Sequence, residues 1–112
     1  MMKHVEGWRQ SFDGVKLYTQ YWEPDGSPKG VVCLVHGIGE HGGRYGHVGE
    51  AFAEAGYVLW SYDARGHGQS EGARGYIPNY LAFMRDINSS VVAAKEKYPQ
   101  VPTFMYGHRM GG

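Results

Sequence analysis

The chain has 112 residues, of which 42% are hydrophobic and 20% charged, enough for a folded domain with a core. Eleven basic residues balance eleven acidic ones, which excludes the strongly basic field of a general nucleic-acid-binding protein. The single cysteine excludes an internal disulfide, and no apolar run approaches the ~20 residues of a membrane span. We expect one domain over residues 1–112, no nucleic-acid partner and a cytoplasmic location.

The first elements predicted are two antiparallel strands. Residues 4–11 and 15–22 are extended segments, the second rich in strand-forming side chains. They are joined at Asp13-Gly14, a dipeptide typical of hairpin turns. A cluster of Pro, Asp, Gly and Ser over residues 24–28 then ends the hairpin.

Two buried strands separated by a helix follow. Residues 30–36 form a continuous apolar run, typical of a strand buried on both faces of a parallel sheet. Cys33 within it is predicted to be a buried, unreactive thiol. Apolar residues at helical spacing over residues 45–55 predict a helix that stops at Gly56. Residues 57–62 are the second core strand.

The last elements are a long helix and a third core strand. The helix is predicted to begin at Pro78 and to end at Pro99, before a strand over residues 101–106. Its predicted apolar stripe comprises Leu81, Met84, Ile87, Val91, Ala94 and Tyr98. Strands that alternate with helices predict a parallel sheet, whose ligands bind at the carboxyl ends of the strands. The last strand is expected to leave an unpaired, apolar sheet edge.

The loop after the last strand has the spacing of a nucleophile elbow. Gly107 and Gly111 flank Arg109 at two residues on either side, as in G-x-S-x-G directly after a core strand. In such a turn the middle residue points into the crevice, and the next backbone N–H, here that of Met110, faces the oxyanion of the reaction. An ordinary glycine-rich turn has the same spacing.

The loop after residues 30–36 admits two interpretations. In an acyl-transfer site, the backbone N–H of Ile38 would be the second oxyanion donor, and His36 would be structural. Alternatively, Gly37-x-Gly39-x-x-Gly42 matches the dinucleotide fingerprint, with Asp63 at the end of the next strand as the ribose-binding acid.

The loop after residues 57–62 is polar and broken by glycines. Asp63, Arg65 and His67 are expected to hold this loop in place through ion pairs and hydrogen bonds to the backbone. Ser70 is a nucleophile candidate only by default, and a turn serine needs no further role. No tight ligand spacing among the histidines and acids predicts a metal site.

Three stretches together resemble one family: HGIGEHGGRY at 36–45, DARGHGQSEG at 63–72 and GHRMGG at 107–112. They are similar to the monoglyceride lipase and lysophospholipase branch of the α/β-hydrolases, from about residue 8 onward. The resemblance implies an α/β fold in which an antiparallel hairpin leads into a mostly parallel sheet with flanking helices. It implies a serine esterase that acts on lipid esters without a cofactor. Its motif residues map to His36, Gly37, Gly107, His108 and Gly111, and its oxyanion donors to Ile38 and Met110.

The chain departs from this pattern in two respects. Arg109 occupies the position of the family's nucleophilic serine, and a protonated guanidinium is not a nucleophile. The family's acid and histidine follow the nucleophile in chain order, and these 112 residues contain no counterpart for them. We therefore expect the N-terminal part of an α/β-hydrolase without activity of its own, with membrane contact expected through the family's lid. A non-catalytic protein that binds anions through Arg109 is the remaining alternative.

Overall fold

The computed structural model describes residues 2–36, 46–63, 69–71 and 80–108. These residues form a five-stranded mixed sheet flanked by two helices, which confirms the predicted α/β fold. The strands are β1 (Lys3–Gln10), β2 (Lys16–Glu23), β3 (Gly30–His36), β4 (Tyr57–Tyr62) and β5 (Thr103–His108), and the helices are α1 (Gly46–Glu54) and α2 (Tyr80–Lys97).

The sheet has the strand order β1-β2-β4-β3-β5. Strand β2 pairs antiparallel with β1 and β4, whereas β3 pairs parallel with both β4 and β5. The hairpin closes at the predicted dipeptide: the Ser11 N–H donates to the Val15 carbonyl at 2.8 Å, and Gly14 has a φ of 88°. That left-handed backbone conformation is one that glycine adopts without strain.

Strand β3 lies at the centre of the core, as its apolar sequence predicts. Val31 and Leu34 are at most 1% exposed, and Cys33 is 2% exposed. Burial raises the pKa of Cys33 to about 11, so the thiol stays protonated at neutral pH. A protonated, buried thiol is unreactive, in agreement with the sequence.

Helix α1 covers one face of the sheet through a glycine. A Cβ atom at Gly49 would lie 2.2 Å from Cδ2 of Trp22, so the backbone of the helix rests directly on the indole. The His4 ring also stacks on Trp22, with the ring centroids 4.6 Å apart. Trp22 is 2% exposed and fills the space that the absent side chain leaves.

Helix α2 covers the opposite face, but not through the whole predicted stripe. Leu81 is 62% exposed and Met84 is 40% exposed, so the stripe was wrong over the first turn of the helix. Ile87 and Ala94 are buried as predicted, and the side chains buried in addition are Ala82, Phe83, Asp86 and Ser90. Because two of them are polar, a periodicity based on hydrophobicity assigns the buried face incorrectly.

Polar contacts join α2 to the hairpin. The Ser11 hydroxyl donates to the Asp86 carboxylate, and the Arg9 Nε–H donates to the Ser89 hydroxyl at 3.1 Å. Burial lowers the pKa of Arg9, and the nearby charge of Asp86 opposes this lowering. The two terminal nitrogens of Arg9 are buried without a hydrogen-bond partner. The Asp86 carboxylate thus lies near a cation two of whose nitrogens are buried.

Strand β5 forms an apolar edge of the sheet, as the sequence predicts. Phe104, Met105 and Tyr106 are 50%, 59% and 47% exposed, on both faces of the strand. The strand begins and ends two residues later than predicted, because Val101 and Pro102 belong to the turn after α2.

Candidate active site

The ends of three parallel strands define the candidate site. Strand β3 ends at His36, which is in register with His108 at the end of β5. On the other side of β3, Leu34 is in register with Ser61, so β4 ends near the same line. The three glycine-rich stretches therefore begin at the same end of the sheet, at the carboxyl ends of its parallel strands. Ligands bind at that end in sheets of this kind.

The predicted site residues divide into two groups. The backbones of His36, Gly107 and His108 are described at the ends of their strands, and Asp63 is described with its side chain. Outside the described residues lie Gly37, Ile38, Gly39, Gly42, Arg65, His67, Arg109, Met110 and Gly111.

Asp63 is buried directly after β4 and bonds within its own loop. Its carboxylate is 1% exposed and accepts a hydrogen bond from the Gln69 N–H at 2.9 Å. Its own N–H donates to the Tyr18 carbonyl on β2 at 2.9 Å. Asp63 thus joins the two ends of its loop to each other and to the sheet.

Ser70 completes this attachment. Its hydroxyl accepts a hydrogen bond from the Tyr18 N–H at 2.8 Å and donates to the Asp63 carbonyl at 2.5 Å. Since the side chain is 1% exposed, it is not available as a nucleophile. No local sequence pattern reveals this role, because the amide that Ser70 binds lies 52 residues earlier in the chain.

Glu71 extends the attachment along β2. Its N–H donates to the Lys16 carbonyl at 2.9 Å, and its carboxylate accepts a hydrogen bond from the Lys16 N–H at 2.9 Å. The chain on both sides of residues 64–68 is therefore fixed to β2. Such hydrogen bonds fix the ends of a loop without regular secondary structure.

Tyr18 is the one described tyrosine beside the Asp63–Glu71 segment with a raised pKa. Burial, and then its hydrogen bond to the Glu6 carboxylate, raises the pKa of Tyr18 to about 12. The phenol donates to a residue of β1 and so joins β2 to β1 beside the site.

In the described part of the chain, no three His, Cys, Asp or Glu side chains lie close enough together to hold a metal ion. Neither described helix has the combination of length and hydropathy that crossing a bilayer requires.

The family follows from a comparison of sequences. A family model described as serine aminopeptidase, S33, matches residues 26–112. The chain belongs to this α/β-hydrolase family. It is 40% identical over 100 residues to the monoglyceride lipase of Rattus norvegicus, a match that covers 89% of the chain and 33% of the relative. It is 41% identical over 99 residues to the monoacylglycerol lipase of Mycolicibacterium smegmatis, covering 88% of the chain and 35% of the relative. The chain thus spans about a third of the length of these relatives.

Solved structures agree with this assignment. A thermostable carboxyl esterase from Bacillus coagulans, in complex with glycerol, matches with a TM-score of 0.82 and 34% identity, covering 96% of this chain and 37% of the esterase. A soluble variant of the Saccharomyces cerevisiae monoglyceride lipase, bound to a substrate analogue, matches with a TM-score of 0.81 and 25% identity, covering 91% and 35% of the two chains. These matches confirm the α/β-hydrolase fold and the predicted family.

Proposed function

We propose that this chain is the motif-bearing part of a carboxylic ester hydrolase of the monoacylglycerol lipase type, and that with Arg109 it does not turn over esters. The register of β3 with β5 carries the proposal. Because His36 lies opposite His108, the chain leaves both strands at neighbouring points. The amides of Ile38 and Met110, two residues beyond, are suited to supply the two oxyanion donors of one acyl-transfer site.

The chemistry proposed for the site is attack of a serine on an ester carbonyl. A serine hydroxyl at position 109 would form the acyl-enzyme, and the two amides would stabilise the negative charge that develops on the carbonyl oxygen. The guanidinium of Arg109 stays protonated and has no lone pair for this step. Without the nucleophile, the residual rate in such sites is at most ~10³–10⁴-fold over water.

Two polar side chains beside the site, Ser70 and Asp63, are not placed to act in catalysis. Ser70 is buried with both of its hydrogen bonds made to the backbone, and the Asp63 carboxylate is bonded to Gln69. The same bond argues against the dinucleotide hypothesis. A ribose would have to displace Gln69 from a carboxylate that is 1% exposed.

Lipid esters are the substrate class that we propose for the complete site. The matched family model is described as an aminopeptidase, but the relatives at about 40% identity are named as lipases of monoacylglycerols. Ester and amide hydrolysis share the same oxyanion, so the motifs alone do not separate them. The resemblance to these relatives therefore supports the ester.

Two assays on the chain test the proposed inactivity. We expect no hydrolysis of p-nitrophenyl butyrate or monooleoylglycerol above the buffer rate, and no labelling by a fluorophosphonate. The Arg109→Lys variant, which keeps the cation, is expected to behave in the same way. Turnover by the natural chain that a fluorophosphonate blocks would contradict the inactive assignment.

A chimera tests the proposed reaction itself. The matched 99 residues of the Mycolicibacterium smegmatis lipase would be replaced by the corresponding residues of this chain, with and without Arg109→Ser. We expect monoacylglycerol hydrolysis from the Arg109→Ser chimera and none from the chimera that keeps Arg109. A folded but inactive Arg109→Ser chimera, with an unchanged circular dichroism spectrum, would rule out the proposed site.

A further inference from the structure

The two edges of the sheet differ in the side chains that they carry. Strand β1, at one edge, presents exposed Lys3 and Glu6, and charged side chains discourage an edge strand from pairing with another molecule. Strand β5, at the other edge of the five described strands, has the sequence TFMYGH, without lysine, arginine, aspartate or glutamate. This edge therefore lacks the charges that protect β1.

The backbone of β5 offers hydrogen-bonding groups on its outer side. The Val31 N–H of β3 donates to the Pro102 carbonyl at 2.9 Å, and Val31 is in register with Thr103. In a parallel ladder, alternate residues turn both backbone groups toward the neighbouring strand, so the residues between them turn theirs away. The groups that point away from β3 are the N–H and C=O of Thr103, Met105 and Gly107.

The side chains of β5 are apolar on both faces of this edge. Phe104, Met105 and Tyr106 are each about half exposed. Phe104 is in register with Val32, which belongs to the core cluster on the α1 face. Met105 is in register with Cys33, which packs on the α2 face. Because α1 packs against β2 and β4, it leaves the two aromatic rings open on its face of the sheet.

We propose that β5 pairs antiparallel with β5 of a second copy of this chain, about a two-fold axis through Met105. In this register all three outward-facing residues find a partner, because Met105 pairs with Met105 and Thr103 pairs with Gly107 of the second copy. About six hydrogen bonds join the two edges. Each five-stranded sheet thus continues into the other.

The side chains of β5 suit the same register. Since the axis is perpendicular to the sheet, Phe104 lies opposite Tyr106 of the second copy, in a pair without hydrogen bonds whose Cα atoms are ~4.5 Å apart. Facing aromatic side chains stabilise paired strands, and Met105 meets Met105 on the other face. The order aromatic, methionine, aromatic is the same in both directions along the strand. This symmetry selects a second copy as the partner.

The size of the contact predicts a weak dimer. One six-residue strand buries less than the ~800 Å² per partner of a stable protein interface. We therefore expect a dissociation constant of about 10–100 µM. The inference uses β5 alone and does not rest on the proposed function.

Sedimentation equilibrium of the full chain, from about 5 µM to about 500 µM, measures the association. We expect a monomer–dimer equilibrium that weakens at least 10-fold in Met105→Lys, because two like charges then lie opposite each other on the axis. The matched control is Leu81→Lys, which adds the same charge in place of an apolar side chain on α2 that is 62% exposed. It is expected to associate within 2-fold of the natural chain.

A charge exchange at the axis tests the register itself. Met105→Glu alone is expected to associate as weakly as Met105→Lys. An equimolar mixture of the two variants is expected to form a heterodimer at least 10-fold tighter than either variant forms alone, since opposite charges then face each other. Circular dichroism spectra of the variants check that each one is folded, and a variant that does not fold would show no recovery in the mixture.

Four results would overturn the proposal. Natural chains that stay monomeric at every concentration would leave this edge to a different strand, and growth beyond the dimer would show unspecific adhesion. An equal loss in Met105→Lys and Leu81→Lys would place the contact elsewhere. No recovery in the mixture of folded variants would exclude a two-fold axis at Met105.

Discussion

The two faces of the sheet are covered by helices that make contact in different ways. Helix α1 meets its face through Gly49, whose missing side chain is replaced by the ring of Trp22. Helix α2 places Phe83 and Ile87 in the core, but it is joined to the hairpin by Asp86 and other polar groups. The contact of α1 depends on the fit between Gly49 and Trp22. The contact of α2 also depends on each buried polar group having a partner.

This difference predicts which kind of substitution destabilises the contact on each face. A shape contact fails when volume is added, because close-packed interiors do not accommodate extra atoms. A polar contact fails when one partner is removed, because the other remains buried and uncompensated.

The largest effect is expected from Asp86→Ala on the α2 side. The substitution leaves the Ser11 hydroxyl without its acceptor and the buried Arg9 cation without its neighbouring carboxylate. We expect a loss of about 3–4 kcal/mol in the free energy of unfolding, measured by urea denaturation. Glu96→Ala, which removes an exposed carboxylate from the same helix, is the control and is expected to change stability by less than about 0.5 kcal/mol. Equal effects of the two substitutions would show that the polar contact does not hold this face.

Alkaline pH is expected to weaken the same face by a smaller amount. Cys33 packs in one cluster with Ala94 of α2, and its pKa is raised from 9.0 to about 11. A raised pKa means that the folded state keeps its proton when the unfolded state has lost it. Stability is therefore full below pH 9 and falls by about 2–3 kcal/mol as the pH rises from 9 to 11.

Urea denaturation at several pH values measures this decline in stability. The Cys33→Ala variant tests whether the thiol causes it. Removing the thiol is expected to lower stability at pH 7 but to make the decline between pH 9 and 11 shallower. A decline of unchanged steepness would assign it to other groups. The pKa of Tyr98 is also raised, by burial and by its hydrogen bond to Glu23, and contributes with the same sign.

The smallest of the three effects is expected on the α1 side, from Gly49→Ala. Alanine is the better helix former by about 1 kcal/mol, but its Cβ would meet the Trp22 ring. We expect the clash to prevail, with a net loss of about 2 kcal/mol in thermal or urea unfolding. Gly46→Ala, in the same helix but with open space around it, is expected to leave stability unchanged or to raise it by up to about 1 kcal/mol. If both substitutions stabilise the chain, α1 does not rest on Trp22.

The sequence predicted the features that depend on neighbouring residues. The run at residues 30–36 and the Asp13-Gly14 turn are local patterns, and β3, β4 and the hairpin lie where those patterns place them. The buried face of α2 was not predictable in this way. Asp86 is inside because Ser11, far away in the chain, supplies a hydroxyl, and no periodicity of α2 itself carries that information.

The candidate site shows the same division. That the ends of β3, β4 and β5 share one edge follows from the alternation of strands and helices. That Ser70 closes its loop on the Tyr18 amide follows only from the three-dimensional approach of β2 to the end of β4.

The position of β3 between β4 and β5 also orders the events of folding. On one side it pairs with β4, which is the next described strand along the chain, and on the other with β5, which is synthesised only after β4 and α2. The entropic cost of closing a loop grows with its length, so the pairing with β4 forms more readily than that with β5. Of the five described strands, β5 is therefore expected to join the sheet last. Until it does, one side of the most apolar strand of the chain is open, and that interval is when a newly made molecule is most exposed to misassembly.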